Sequence, residues 1–406
     1  MTMKQTQTKL FDFSDAGLDF CAGSKILFPD RFKKMLSLGY NVQTVTSIAV
    51  AGNQITFTYG GAHGYVTNRV LKIDSGALSL INKGEFWLDS VTINTVTFTL
   101  DNAPSSVAGG FTTRIAPLGW SLEYENANVH VYKFKQLDES DIYLRLCFQN
   151  KNERRNCISP CVGKSFDPAT GFITDFTALA ENKDITTPDV GFKFEYQQAA
   201  DATFNNYTYS QGFSTFGLAC VVGSAYHFIV MSSSGNDTTH SQINAVLPVV
   251  TNLEALQYPI LIGSRFANIA SNGVRQLGFE EVWCGATRVY FQKRTEASPS
   301  APQSYVDLRP QAAESYLPAS IESFNTTTAE PISLYLTNGQ FVGFAHGLHV
   351  IKFASTNAPT MSRTTSPSTT YDVDLNNLVK VHFMADGSSA AYGLFFAAPV
   401  EEIKIV

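Results

Sequence analysis

Apolar residues fall at helical spacing once in the first forty positions and at every second position from residue 41 onward. In residues 24–39 (SKILFPDRFKKMLSLG), Phe32, Met35 and Leu36 stand at i, i+3 and i+4. Pro29 fits a first helical turn, and Gly39 fits the left-handed position that ends a helix. The spacing predicts one short helix there. After it, Val42, Thr44, Thr46, Ile48 and Val50 alternate with other residues, Gly52-Asn53 marks a turn, and Gln54 to Tyr59 (QITFTY) reads as a second strand. Val70 to Ile73, Gly84 to Leu88, Val91 to Ile93 and Val96 to Leu100 extend the set, with a tight turn at Asn94-Thr95. β-Branched and aromatic residues dominate, as a pleated surface favours.

The alternation stops at Ala116-Pro117-Leu118-Gly119-Trp120 and resumes at once through Trp120, Leu122 and Tyr124. A catalytic loop and a junction between two β units would both leave such a break. These five residues carry no titratable group, so the junction reading is adopted, with Trp120 as an apolar plug whose N–H finds a partner. Further strands are expected at Asp141–Phe148 (DIYLRLCF), over Phe192, Phe194 and Tyr196, at Phe216–Val222 paired with Ala225–Met231 around Gly223-Ser224, and at Val246–Val250, Tyr258–Ile262 and Arg288–Gln292. A second short helix is expected at Asp175–Asn182, and Ser232–Ser241 as an exposed loop tip. Prolines crowd 296–319 into an extended connector. The last stretch returns to strands at Ile332–Leu336, Phe341–Phe344, His349–Phe353, Tyr371–Leu375, Leu378–Phe383 and Tyr392–Phe396. Ser355–Thr370 reads as a loop there, and Glu402–Val406 as an edge strand.

These elements predict a mainly β fold of several small antiparallel sandwich or barrel units, with a short N-terminal helix and few others. The expected organisation is an N-terminal arm and helix (1–40), a small sandwich or barrel (41–115), a larger β domain (116–295), a proline-rich connector (296–320) and a C-terminal β domain (321–406).

Composition narrows the functional classes. Only 16% of the 406 residues are charged, against about 25% in average globular chains, which suits half-buried sheets and surfaces that meet other subunits. A net charge of −6 offers no basic stripe for nucleic acid. The two basic knots, Arg31–Lys34 and Arg154-Arg155, are expected to be solvated. No secretory signal opens the chain and no run of about 18 apolar residues appears, so synthesis in the cytoplasm without membrane insertion is expected. Six cysteines stand at 21, 147, 157, 161, 220 and 284. Without a second close pair, Cys157 and Cys161 do not make a zinc pattern. Buried free thiols are expected, with a Cys157–Cys161 disulfide or a metal as the alternatives.

Candidate chemistry is sparse. The sequence contains no nucleophile elbow, phosphate loop, HExxH or dinucleotide fingerprint. His346 and His349 are three apart, which on a strand puts them on opposite faces unless Gly347 bends the chain. His63 is expected in a turn. Asp138, Glu139 and Asp141, Glu280 and Glu281, and Asp372 and Asp374 are the carboxylate groupings that a sugar-cleaving enzyme would need across a groove; surface positions are expected for them. Gly235-Asn236-Asp237 lacks the ligand density of a calcium loop. No residue is put forward as catalytic, cofactor-binding or metal-binding.

The order of several motifs carries a resemblance. Leu38-Gly39-Tyr40 ends the helix. Ala62-His63-Gly64-Tyr65, then Gly84 to Thr99 (GEFWLDSVTINTVTFT), then Ala116 to Trp120 (APLGW), an aromatic run over Tyr124–Tyr132, and Ile142-Tyr143-Leu144-Arg145-Leu146 follow. In this order, and most clearly over 38–148, the chain resembles a family of virion structural proteins encoded among the tail genes of tailed bacteriophages. The family pattern continues with a short acidic, glycine-containing turn. Here the chain reads Cys147 to Arg155 (CFQNKNERR) instead. The resemblance implies a homo-oligomeric part of the tail, baseplate or collar that docks on copies of itself and on other virion proteins of the tail, collar or portal region. It implies no catalytic residue and no cofactor. The alternatives are a tail-fibre module that binds a host-surface glycan, a capsid decoration protein and a polysaccharide-cleaving enzyme.

Overall fold

A computed structural model describes residues 7–18, 27–150, 157–188, 191–195, 219–233, 241–263, 281–291, 294–295, 304–305, 327–353, 368–371, 378–384 and 394–400. The chain is mainly β, with several antiparallel sheets and one short helix near the N-terminus.

Residues 40–115 make the first sheet. Its order is Glu85–Trp87, Val70–Ile73, Thr112–Ile115, Tyr40–Ala51, Gln54–Tyr59, Thr95–Thr99, Ser90–Val91. The alternation that predicts it is visible in Gln54–Tyr59, where Ile55, Phe57 and Tyr59 are buried. Phe57 meets Phe98 edge to face at 5.1 Å, and Phe98 stacks on Phe86 at 4.6 Å.

The chain then crosses the 116–120 break into a second sheet, ordered Phe194–Glu195, Cys157–Gly163, Asp141–Phe148, Val129–Lys135, Ser121–Asn126. A third sheet runs Lys9–Asp12, Ala219–Gly223, Phe228–Ser233, Ser241–Leu247, Ile260–Gly263, Glu281–Cys284, Thr287–Val289. Its first member, near the N-terminus, was not foreseen by the alternation. The fourth sheet holds Val249–Val250, Phe341–Phe353, Leu394–Pro399, Leu378–Met384 and Ser368–Tyr371, with Thr327–Tyr335 also on Phe341–Phe353.

One continuous core of buried apolar residues reaches from Leu10 in the third sheet through Phe57 and Phe148 to Phe396 in the fourth. A small second cluster of Ile351, Val379, Val381, Phe395 and Ala397 belongs to the fourth sheet.

The predicted helix forms as an α-helix, Leu27–Lys33, that widens into a π turn, Lys34–Leu38, and ends at Gly39 with φ 75°. Phe28 and Phe32 insert between sheets and meet Phe148 at 6.0 and 5.5 Å. The break at 116–120 closes the end of this helix. The Leu118 amide donates to the Met35 carbonyl at 2.9 Å and the Trp120 amide to that of Leu36 at 3.0 Å, which satisfies carbonyls that a helix end leaves open. The Trp120 ring stacks on Phe134 at 4.3 Å and donates Nε1–H to the Ser224 carbonyl at 2.8 Å. The plug expected at a junction is therefore present, packed between the second and third sheets.

Several expectations need correction. Asp175–Asn182 forms turns rather than a helix. The Asp175 carboxylate takes the amides of Lys164 and Thr177, so local side-chain bonding displaces the helical ladder. The expected strand Val246–Val250 divides at Pro248, where the chain passes from the third sheet to the fourth; proline has no N–H to continue a ladder. Arg31 is buried rather than solvated and pairs with Asp30 at 2.6 Å. His63 is buried in a cluster of three rings, 4.8 Å from Tyr59 and 5.0 Å from Tyr65. The cysteines need no correction: the expected buried free thiols are found at Cys147, Cys157, Cys161, Cys220 and Cys284, and burial pushes Cys161, Cys220 and Cys284 up to about 12. No helix among the described residues is long and apolar enough to cross a membrane.

Candidate functional site

A half-open cleft of ≈ 570 Å³ lies where the second, third and fourth sheets meet. Its near wall is the turn between the strands Val129–Lys135 and Asp141–Phe148. The Gln136 amide donates to the Ser140 carbonyl at 2.9 Å to close that turn, and Glu139 takes a left-handed φ of 67°. Asp138 accepts from the Ser140 amide at 3.0 Å and from its hydroxyl. These bonds hold the Asp138 carboxyl below its ordinary range. Asp141 pairs with Lys135 at 2.7 Å, which lowers its carboxyl in the same direction.

The floor comes from two segments far apart in sequence. Lys164 follows the strand Cys157–Gly163, and Tyr258 precedes Ile260–Gly263. Asp175 ties them together. Its Oδ2 accepts from the Lys164 amide and from the Tyr258 hydroxyl, both at 2.8 Å, and its Oδ1 takes the Thr177 amide and hydroxyl at 2.9 and 2.7 Å. Burial alone would raise the Asp175 carboxyl, but these bonds outweigh it and hold it low. The Lys164 ammonium stands 4.6 Å over the Tyr258 ring, a cation–π contact.

The far wall is Pro248–Thr251 and His346. In the strand Phe341–Phe353 the pairing jumps from Pro331–His349 to Ile332–Ala345, so His346, Gly347 and Leu348 bulge out of the ladder. Gly347 takes φ 94°. The bulge places His346 on the cleft, with its amide donating to Pro248 at 2.9 Å, and leaves His349 in the ladder opposite Pro331 and Ala397. The two histidines do not converge. Burial lowers the His346 ring, so it is neutral at pH 7.

Of the carboxylates singled out by sequence, Asp138 and Asp141 both line the cleft, from one wall, and both are held ionised. A glycosidic acid would need a carboxyl held protonated, facing a second across the groove. Glu139 instead accepts from the Tyr226 hydroxyl. Glu281 lies on a strand of the third sheet. Glu280, Asp372, Asp374, Gly235–Asp237, Arg154-Arg155 and 402–406 fall outside the described residues. Among the described residues no three His, Cys, Asp or Glu side chains converge as a metal site. Lys164, Asp175, Tyr258 and His346 could not be grouped from sequence, because no local spacing links residues this far apart.

Outside the cleft, the buried Arg145 and the buried Asp15–Arg69 pair hold structural positions. Arg145 is fully buried. Its guanidinium donates to the carbonyls of Gly171 at 2.9 Å, Asn182 at 3.4 Å and Ile185, and its centre lies 5.5 Å over the Phe172 ring. Asp15 in the N-terminal arm accepts from Arg69 Nε and Nη2, both at 2.8 Å, and from the Tyr40 hydroxyl at 2.7 Å. Burial would lower the Arg69 guanidinium, but Asp15 beside it raises it and keeps it charged.

Comparison of the sequence with family models and with curated proteins finds no match.

Proposed function

We infer that this chain is a structural part of a bacteriophage virion, in the tail, baseplate or collar, working by self-association and docking on neighbouring virion proteins. It would be made in the host cytoplasm and would reside in the particle. The observation that carries the assembly reading is an uncovered apolar face on the fourth sheet. Phe341 and Phe344 are 47% and 39% exposed, with their rings 5.0 Å apart, and Val250, 47% exposed, is the ladder partner of Phe344. Single exposed apolar residues such as Leu80 are ordinary, whereas a contiguous aromatic patch favours burial against another protein.

The placement in a virion rests on the motif order over 38–148. Its residues hold packing roles: His63 and Tyr65 in a ring cluster, Trp120 at the junction, Arg145 under the turns of 171–185. That suits a protein whose motifs preserve shape rather than a reaction. Mass measurement across a dilution series tests assembly. A homo-oligomer is expected, weakened by replacing Phe341 and Phe344 with Ser, and a strict monomer overturns the reading. Peptides of this chain in purified tails of the particle test the placement; their absence there, with presence on capsids, would favour decoration of the head.

A further inference from the structure

We propose that the cleft between the second, third and fourth sheets is a binding site for a neutral carbohydrate. The argument is independent of the assembly reading. Three polar side chains from three separate segments meet there, and among the described residues their hydrogen-bonding atoms have no hydrogen-bond partner: the Lys164 ammonium, the Gln257 amide and the His346 ring. Asp138 adds a carboxylate on which Ser140 uses only Oδ1. A cavity with a few convergent polar groups on an otherwise apolar lining is the usual form of a ligand site, and its size lies within the range of roughly 300–1,000 Å³ that such sites span.

The lining selects the ligand. Lys164 donates, Asp138 accepts, and Gln257 and a neutral His346 each do both. An apolar ligand would leave the Lys164, Gln257 and His346 groups and the second Asp138 oxygen without partners on losing water, which costs about 1–3 kcal/mol for each group. An anionic ligand would meet the Asp138 carboxylate, and beside it on the same wall Asp141, which Lys135 already pairs. A polyhydroxylated neutral ligand offers donors and acceptors together, and its C–H faces match Pro248, Val249 and Pro259.

The test uses the full chain in its native assembly state, with a linear neutral glucan oligosaccharide, a neutral N-acetylhexosamine oligosaccharide and a sulfated oligosaccharide, followed by ligand-observed NMR and calorimetry. Saturable binding of one of the neutral sugars is expected, with Kd of about 1 mM or tighter. Gln257→Ala and Lys164→Gln change exposed side chains, so their melting curves should match wild type while binding weakens at least about tenfold. The proposal is overturned if neither neutral sugar binds saturably at about 10 mM, if the sulfated one binds more tightly, or if both variants bind as wild type does. Oligomeric mass measured on the same samples separates this outcome from failure of the assembly reading.

Discussion

The His227 ring occupies the space that a side chain on residue 347 would need. A β-carbon on Gly347 would lie 2.9 Å from His227 Cδ2 and 3.2 Å from Nε2. With φ at 94°, the position is doubly closed to other residues. Gly347→Ala should destabilise the chain by about 2 kcal/mol, from left-handed strain plus overpacking. In a double-mutant cycle, His227→Ala should relieve the packing part but not the backbone part. Additive denaturant midpoints would refute the contact.

Acid should unfold this protein through its histidines. Burial lowers His63 and His346, and takes His130 to about 4 and His227 to about 3. Below the unfolded value near 6.5, the unfolded chain binds protons that the folded chain refuses, so stability falls as pH falls. For His227 the loss builds from about 6.5 down to about 3. Melting temperature should fall steadily from pH 7 to 4, and His227→Gln should flatten that slope; an unchanged slope would contradict the assignment.

Trp120→Ala should cost about 3–5 kcal/mol, since it empties a stacked site and leaves the Ser224 carbonyl without its donor. Trp120→Phe should keep the stack and lose mainly the hydrogen bond, about 1–2 kcal/mol. Equal losses for the two variants in urea unfolding would show that ring burial is not the larger contribution.

Arg145→Leu should destabilise by about 3 kcal/mol despite being apolar and buried, because the carbonyls of Gly171, Asn182 and Ile185 lose their shared donor. Hydrogen exchange should quicken across 171–185 before it does in the first sheet. Uniform quickening would point to a general loss of stability instead.

Asp15→Asn should loosen the N-terminal arm by removing the charge that Arg69 faces in a buried setting, at about 3 kcal/mol. Amide protection at 9–12 and 219–223 reports it, and unchanged protection would show that strand pairing alone holds the arm.

Much of the β framework was legible in the sequence because period-two burial writes itself into residue choice. Ile55, Phe57 and Tyr59 announce their strand, and Gly39 announces the end of the helix. The junction at 116–120 was legible for a different reason, since a proline and a glycine interrupt a clean alternation. Positions decided by distant partners were not legible. Arg31 looked solvated because its burial comes from tertiary packing. Lys9–Asp12 is four residues with no alternation, a strand only because Ala219–Gly223 offers an edge. Pro248 carries a local signal of the division, because a proline has no N–H with which to continue a central ladder. Asp138, Asp141 and His346 stand out singly in the sequence, but the cleft that gathers them was not legible, since its members meet only after three sheets have packed.

The pairing of Lys9–Asp12 with Ala219–Gly223 sets a timetable for synthesis. About two hundred residues must leave the ribosome before the earliest strand has an edge to join, at roughly 5–20 residues per second. During those tens of seconds Leu10, Phe11 and Phe13 have none of their final neighbours from the third sheet. A nascent-chain series halted before and after residue 223 should show this arm becoming protease-resistant only past that point. A bulky fusion at the N-terminus would then burden a later step of maturation rather than the first.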